Sequence, residues 1–314
     1  MLAEGLLHTF QEMSDEGADR IMRAHALARM TRDRNLISTA SAWHAFTQSE
    51  RSEFKGMARS LQEALTNADS EDHEVLARIY MILANARMSI GDADEAYDLY
   101  MLSRHHALEC GDQATIDALI YNMAAFALGW ERARLCFGES NPEHLRRFRS
   151  ELASAKTYQQ LAGVSALSNF VYLWEARLLL LSGEMDSAIA ALRSVRSMHP
   201  FARYNYHESL IDLEIAYCLA RQNKLTKADV QRGAVLDADL SSLHDDDKLF
   251  AAWARLAILQ SMPSLGSTEA AEESLATARE EFVSECEEIR KALGEVGSHP
   301  HIVRPKVVSA RIPL

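Results

Sequence analysis

The feature of this sequence that most constrains its fold is a helical spacing of apolar and small residues. Between Val75 and Ile90 such residues recur mostly three or four positions apart, which places them on one face of an α-helix. Strict alternation of apolar and polar residues, the pattern of a half-buried strand, is hard to find over more than four residues. The sequence therefore predicts an all-α protein. Similar helical spacing occurs in 113–130, 167–182, 206–220, 248–260 and 270–292.

Short dipeptides with a glycine separate the predicted helices. Gly91-Asp92, Gly111-Asp112 and Gly183-Glu184 each follow a helical segment. A glycine at that place can adopt the left-handed conformation that ends a helix at little steric cost. Asn141-Pro142-Glu143 indicates a helix start, because proline suits the first helical position. We therefore expect helices joined by short turns into helical hairpins.

Two of these hairpins have matching sequences of equal length, residues 77–110 and 169–202. Small residues at matched positions let the two helices of a hairpin approach closely, and a bulky side chain at the crossing would force them apart. A weaker third copy at 209–242 keeps Ala216 and Ala228 but has Asn223 in place of the turn glycine. The matched positions are Ala84 with Ala176, Gly91 with Gly183, Ala96 with Ala188, and Tyr100 with Leu192, and the second copy has Pro200 near its end.

These copies resemble the tetratricopeptide repeat (TPR). That family has a small residue in its first helix, often glycine at the turn, alanine in the second helix, a large apolar residue four positions later, and proline at the close. The resemblance implies antiparallel helix hairpins stacked into a right-handed superhelix, an α-solenoid, over residues 71–293. Residues 1–70, with helices predicted at 16–31, 34–47 and 49–67, would form an N-terminal cap or a degenerate repeat. Residues 294–314 would form an extended or disordered basic tail.

Motifs that mark common chemistries are missing from the sequence. It contains no GxxxxGK[ST] or GxGxxG phosphate loop, no HExxH metal motif and no GxSxG nucleophile motif. Aspartates from Asp237 to Asp247 are interpreted as a solvated loop and helix start rather than a cation site. The sequence therefore predicts a non-catalytic protein with no cofactor and no metal. The cysteines form no CxxC pair and are expected to be reduced thiols, partly or fully buried: Cys110, Cys136, Cys218 and Cys286.

The charge and the apolar runs limit the class of partner. Lys and Arg total 33 against 45 Asp and Glu, a formal net charge of −12, which argues against nucleic-acid binding because phosphate neutralisation needs clustered cations. A helix-turn-helix at 18–46 is disfavoured because its arginines precede the second helix. No apolar run approaches the roughly 20 residues that span a bilayer, and the first 20 residues lack the features of a secretory signal. We expect a cytoplasmic protein without a membrane partner.

In a TPR superhelix the first helix of each hairpin lines the concave face, so the resemblance places a partner protein or peptide there. An amide such as that of Asn85 or Asn122 can bond both the N–H and the C=O of an extended peptide. A guanidinium such as that of Arg177 can pair with a carboxylate through two hydrogen bonds. The predicted groove residues, expected to point outward from the first helices, are Arg78, Asn85, Tyr121, Asn122, Arg177, Glu214 and Tyr217.

Together these patterns predict a TPR-like protein- or peptide-binding module that acts as an adaptor or regulator through its concave groove. One alternative is a ligand- or peptide-responsive bacterial regulatory protein that switches conformation, with residues 1–70 as its output module. A second is an enzyme of phosphatase type, with Glu175 and Glu214 as candidate carboxylates. Homodimerisation also stays open, because the apolar side of helix 270–292 could serve either as a cap or as a dimer seam.

Overall fold

A computed structural model describes residues 1–9, 15–139, 141–162, 168–198, 208–232, 236 and 243–297. Within these ranges the regular structure is helical, with 14 α-helices, one short 3-10 helix and no β-strand. The prediction of an all-α protein is confirmed. No helix in the described ranges is long and apolar enough to cross a membrane.

The chain divides into two compact units, and the first comprises Met1–Leu119 with the segment from Glu287 onward. Consecutive helices in this unit pack against one another, and α5 also packs against α3 and α4. The N-terminal helices and the first 34-residue copy therefore share one unit. Its helices are α1 (Leu2–Leu7), α2 (Asp15–Thr31), α3 (Arg34–Glu50), α4 (Phe54–Asn67), α5 (His73–Ser89) and α6 (Ala93–Cys110).

The second unit comprises Ile120–Cys286. In it α9 packs against α8 and α10, and α11 packs against α10 and α13. A core cluster joins Tyr121 and Leu128 of α7 to Phe148 of α8 and Trp174 of α9. The remaining helices are α7 (Gln113–Cys136), α8 (Pro142–Ala162), α9 (Ser168–Leu181), α10 (Met185–Ser197), α11 (Glu208–Arg221), α12 (Lys227–Arg232), α13 (Asp245–Ser261) and α14 (Glu269–Val296).

Both 34-residue copies contain the predicted pair of helices around a glycine turn. Gly91, between α5 and α6, has φ 83°, and Gly183, between α9 and α10, has φ 78°. These values lie in the left-handed region, where a side chain is disfavoured, so the glycines explain where the first helices end. The small residues predicted at the contact between the two helices are fully buried: Ala84, Ala96, Ala176 and Ala188.

The third copy follows the pattern at its turn and departs from it afterwards. Asn223 has φ 57°, the conformation taken by the glycines of the other two copies, and asparagine tolerates it better than most residues. Ala216 is buried, but Ala228 is exposed on the short helix α12. A buried helix contact at Ala228 is therefore not formed. Pro200 lies outside the described residues.

Several boundaries differ from those predicted. α3 continues to Glu50 and α4 begins only at Phe54. α14 continues to Val296, so the start of the predicted tail is helical, and residues 298–314 lie outside the described ranges. Three of the four cysteines are buried and Cys110 is exposed. The apolar side of α14 is buried within the chain: Leu275, Phe282 and Ile289.

Candidate functional site

Six of the seven predicted groove side chains are buried rather than exposed. The reason is that the first helices are enclosed by neighbours, as in α5, where every residue from Val75 to Ala86 is buried. Only Asn122, on α7, is partly open to solvent. On a first helix, the side that faces away from the second helix of the same hairpin is therefore covered by other helices. The buried six are Arg78, Asn85, Tyr121, Arg177, Glu214 and Tyr217.

Two of these six lie together in a group of buried charges that we call the ion cluster: Arg132, Arg177, Glu214 and Asp247. The Arg177 Nε donates to Glu214 Oε1 at 2.8 Å, and the Arg132 Nη2 donates to the same oxygen at 2.9 Å. Both guanidiniums also bond Asp247 Oδ1, that of Arg177 at 3.4 Å. The four residues come from α7, α9, α11 and α13, so the ion cluster ties four helices of the second unit together.

The ion cluster balances two positive charges against two negative charges away from water. Burial works against the ionised Asp247, but Arg132 and Arg177 outweigh it and lower the pKa of that carboxyl. Burial likewise opposes the charge of Arg132, yet Asp247 and Glu214 outweigh it and raise the pKa of the guanidinium. The neighbouring Asp246 behaves differently, because burial and then the charge of Asp247 raise its pKa. Asp247 is thus held ionised beside the two guanidiniums.

Aromatic rings lie beside the ion cluster. The guanidinium carbon of Arg132 lies 4.3 Å from the centroid of the Phe250 ring, a cation–π arrangement. The Tyr217 ring packs against Phe250 and Trp253, at centroid distances of 6.0 Å and 4.8 Å. One carboxylate oxygen, Glu214 Oε2, is buried with no hydrogen-bond partner. The four charged side chains come from four helices, so the ion cluster acts as a brace that holds these helices together.

The predicted groove residues of the first unit also bond neighbouring helices. The Arg78 Nη2 donates to Thr115 Oγ1 at 3.2 Å, and its guanidinium carbon lies 3.4 Å from the centroid of the Trp43 ring. Burial lowers the pKa of Arg78 to about 10. The Tyr100 hydroxyl donates to Asn85 Oδ1 at 2.8 Å. Both side chains already have partners within the chain.

Asn85, Arg177 and Tyr217 occupy the same position in the three aligned copies. Each directly follows the small residue of the first helix, Ala84 in the first copy. All three are buried, and each contacts a different helix from its own. This repeat position therefore holds the first helix to its neighbours in each copy.

The sequence patterns did not indicate that Arg132 and Asp247 are buried in one ion cluster. Arg132 stands among charged residues at the end of α7 and resembles a solvated position. Asp247 was expected in a solvated loop and helix start; it lies in the first turn of α13, but it is buried in the ion cluster. A signal was available, because Ala251 and Ala254 follow it at helical spacing and are buried on the same face of α13.

The carboxylates proposed for a phosphatase have separate partners. Lys156 Nζ bonds Glu175 at 2.9 and 3.0 Å, where both side chains are about two-fifths exposed. Glu214 is held in the ion cluster. Among the described residues no three His, Cys, Asp or Glu side chains converge to hold a metal ion.

Asn122 is the predicted groove residue that solvent reaches. It lies on α7, where the nearby side chains of Met123 and Phe126 are also partly exposed. Its side-chain amide bonds no residue in the described ranges. An amide with free donors and a free acceptor, beside partly exposed apolar side chains, can bind the backbone of an extended segment.

Comparison of the chain with protein-family models, with curated proteins and with solved structures gives no match. The resemblance to the tetratricopeptide repeat therefore rests on the two copies and their turns alone.

Proposed function

We propose that this chain is a non-catalytic, TPR-like binding module that acts as an adaptor or regulator by holding a protein or peptide segment. The proposal includes the TPR manner of stacking, in which the antiparallel helix hairpins within each unit follow one another in a right-handed superhelix. The left-handed turn residues Gly91, Gly183 and Asn223 support that stacking, since they stand at the same position in all three copies. Repeated helix pairs of this kind commonly present extended binding surfaces.

The observation that carries the binding proposal is the partly exposed face of α7. Asn122 there has an amide with no bond to the described residues, and Met123 and Phe126 lie beside it. An extended segment would exchange hydrogen bonds with the amide and cover the two apolar side chains. The other predicted groove residues are buried against neighbouring helices, so we assign them the role of holding the helices that present this face.

Selection of random peptides on the intact protein tests the proposal. We expect selection to enrich one family of sequences, and Asn122→Ala to weaken the binding of a selected peptide about tenfold, the effect of losing roughly 1.4 kcal/mol of hydrogen bonding. Fluorescence anisotropy of the labelled peptide measures the dissociation constant. Asn35→Ala, an exposed asparagine on α3, is the matched control and should bind as the wild type does.

Two results would contradict the proposal. One is a selection that enriches no sequence family over an unrelated helical protein. The other is a selected peptide that binds Asn122→Ala and the wild type equally. Circular dichroism of both variants establishes that the helices are intact, so a loss of binding can be assigned to the amide.

A further inference from the structure

Helix α2 leaves several of its large apolar side chains exposed. Ile21, Ala24 and Ala28 face the interior. Met22 and Met30 face solvent, and Met30 is 79% exposed. A helix that only packs on its own chain is expected to bury more of these side chains, because burying large apolar side chains gains the most free energy.

The exposed residues of α2 form one stripe. Met22, Ala26 and Met30 are spaced four residues apart, so they follow one another along the same side of the helix. Leu27, which is 48% exposed, and Arg23 lie beside them. We call this stripe the α2 face: Met22, Arg23, Ala26, Leu27 and Met30. Methionine, which adapts its shape, and arginine are both enriched at protein interfaces.

Over residues 273–288 the outer face of α14 has the opposite charge. Glu273, Glu280 and Glu287 are exposed at intervals of seven residues, and Glu281 and Glu288 stand next to two of them. None of these carboxylates is paired with a cation in the described ranges. Val283, 44% exposed, is a large apolar side chain within this acidic face.

We propose that the α2 face of one molecule docks on the acidic outer face of α14 in a second copy of this chain. Two molecules of net charge −12 repel each other, but salt screens that repulsion beyond about 8 Å at physiological ionic strength. A contact therefore forms only where the local charges are complementary. Arg23 within an apolar stripe and glutamates around Val283 satisfy that condition.

The inference rests on the proposed function in one respect, since it names a second copy as a protein partner. It uses a surface different from Asn122. The two contacts of a twofold dimer would be equivalent, each placing the α2 face of one molecule against α14 of the other.

A charge-reversal mixing experiment tests this pairing. One variant, Arg23→Glu with Ala26→Glu, makes the α2 face acidic, and the other, Glu280→Lys with Glu287→Lys, makes α14 basic. All four positions are exposed, so the fold should be retained. In sedimentation velocity we expect the wild type to dimerise, each variant alone to be monomeric, and an equimolar mixture of the two to dimerise again, because both contacts of the mixed dimer are complementary.

A second pair of variants tests the apolar part of the contact. Met30→Gln should weaken dimerisation at least about tenfold, the effect of losing one buried methionine side chain. Leu108→Gln is the control, because Leu108 is a similarly exposed apolar residue on α6. It should leave the dimerisation constant unchanged.

A monomeric wild type, or a mixture that stays monomeric while the wild type dimerises, would overturn the pairing of α2 with α14. A monomeric wild type would also be found if α2 binds an acidic segment of another protein instead of a second copy. Neither result affects the proposed function, which fails if selection enriches no sequence family or if a selected peptide binds Asn122→Ala as it binds the wild type.

Discussion

Replacing Glu214 by glutamine should destabilise the second unit far more than the same change at an exposed ion pair. Glu214 is fully buried, and its Oε1 accepts hydrogen bonds from Arg132 and Arg177 at 2.9 and 2.8 Å. The substitution keeps the size of the side chain and removes its charge. Two buried guanidiniums would then share Asp247 as their single anionic partner in the ion cluster.

The expected cost follows from the surroundings of each atom. Removing one partner of a buried ion pair costs about 3–5 kcal/mol, because an uncompensated charge stays in the interior. No new bond offsets the loss if the amide nitrogen takes the place of Oε2, which has no hydrogen-bond partner in the wild type. The exposed pair of Glu175 with Lys156 gives the comparison, since such pairs contribute about 0.2–1 kcal/mol.

Urea unfolding followed by circular dichroism and tryptophan fluorescence measures both effects near neutral pH. We expect Glu214→Gln to lower the free energy of unfolding by about 3–5 kcal/mol and Glu175→Gln by no more than about 1 kcal/mol. Added salt should reduce the effect of Glu175→Gln and leave that of Glu214→Gln nearly unchanged, because buried pairs are poorly screened. Equal costs for the two substitutions would refute the assignment of the ion cluster as a brace.

Two further predictions concern a helical glycine and a buried carboxyl. A Cβ at Gly129 would lie 2.9 Å from Asp246 Oδ2, so Gly129→Ala should lower the urea midpoint by overpacking. A Cβ at Gly294 would meet open space. Gly294→Ala should therefore raise the midpoint, because alanine is preferred over glycine in a helix by roughly 1 kcal/mol. Burial raises the pKa of Glu151 to about 8, so between its unfolded value of 4.5 and about 8 the folded protein keeps a proton that the unfolded chain releases. The free energy of unfolding should therefore fall as pH rises through that window, by at most about 1.4 kcal/mol per pH unit. Glu151→Gln should remove this dependence on pH. An unchanged dependence in the variant would contradict the assignment of the slope to Glu151.

The turns of the repeats could be predicted from the sequence because they depend on local backbone geometry. Gly91 and Gly183 were placed at the ends of first helices from their position alone, and both have left-handed φ values. Asn141 also behaves as expected, since its side chain accepts a hydrogen bond from the Glu143 amide at 2.9 Å and so caps α8. Helix ends and caps of this kind depend on residues within one turn of each other, so they do not depend on contacts with distant parts of the chain.

The environment of the predicted groove residues could not be predicted in the same way. Helical spacing tells which side of α9 faces α10, but it does not tell how many other helices cover the remaining sides. Arg177 lies opposite the hairpin partner and was therefore expected in solvent, yet its guanidinium is buried in ion pairs with Glu214 of α11 and Asp247 of α13. Contacts between residues this far apart in sequence leave no periodic trace in any one helix.

The placement of charge in the second unit follows from the same long-range contacts. A buried arginine is tolerated only where carboxylates and further hydrogen bonds replace its water. Arg132 and Arg177 each contact both Glu214 and Asp247, so a shift of any one of the four helices by a turn would leave at least one charge without its partner. An apolar core of similar size would accept such a shift at a lower cost in free energy. We therefore infer that the ion cluster fixes the register of these helices. It thereby fixes the position of the partly exposed face of α7 on which Asn122 lies.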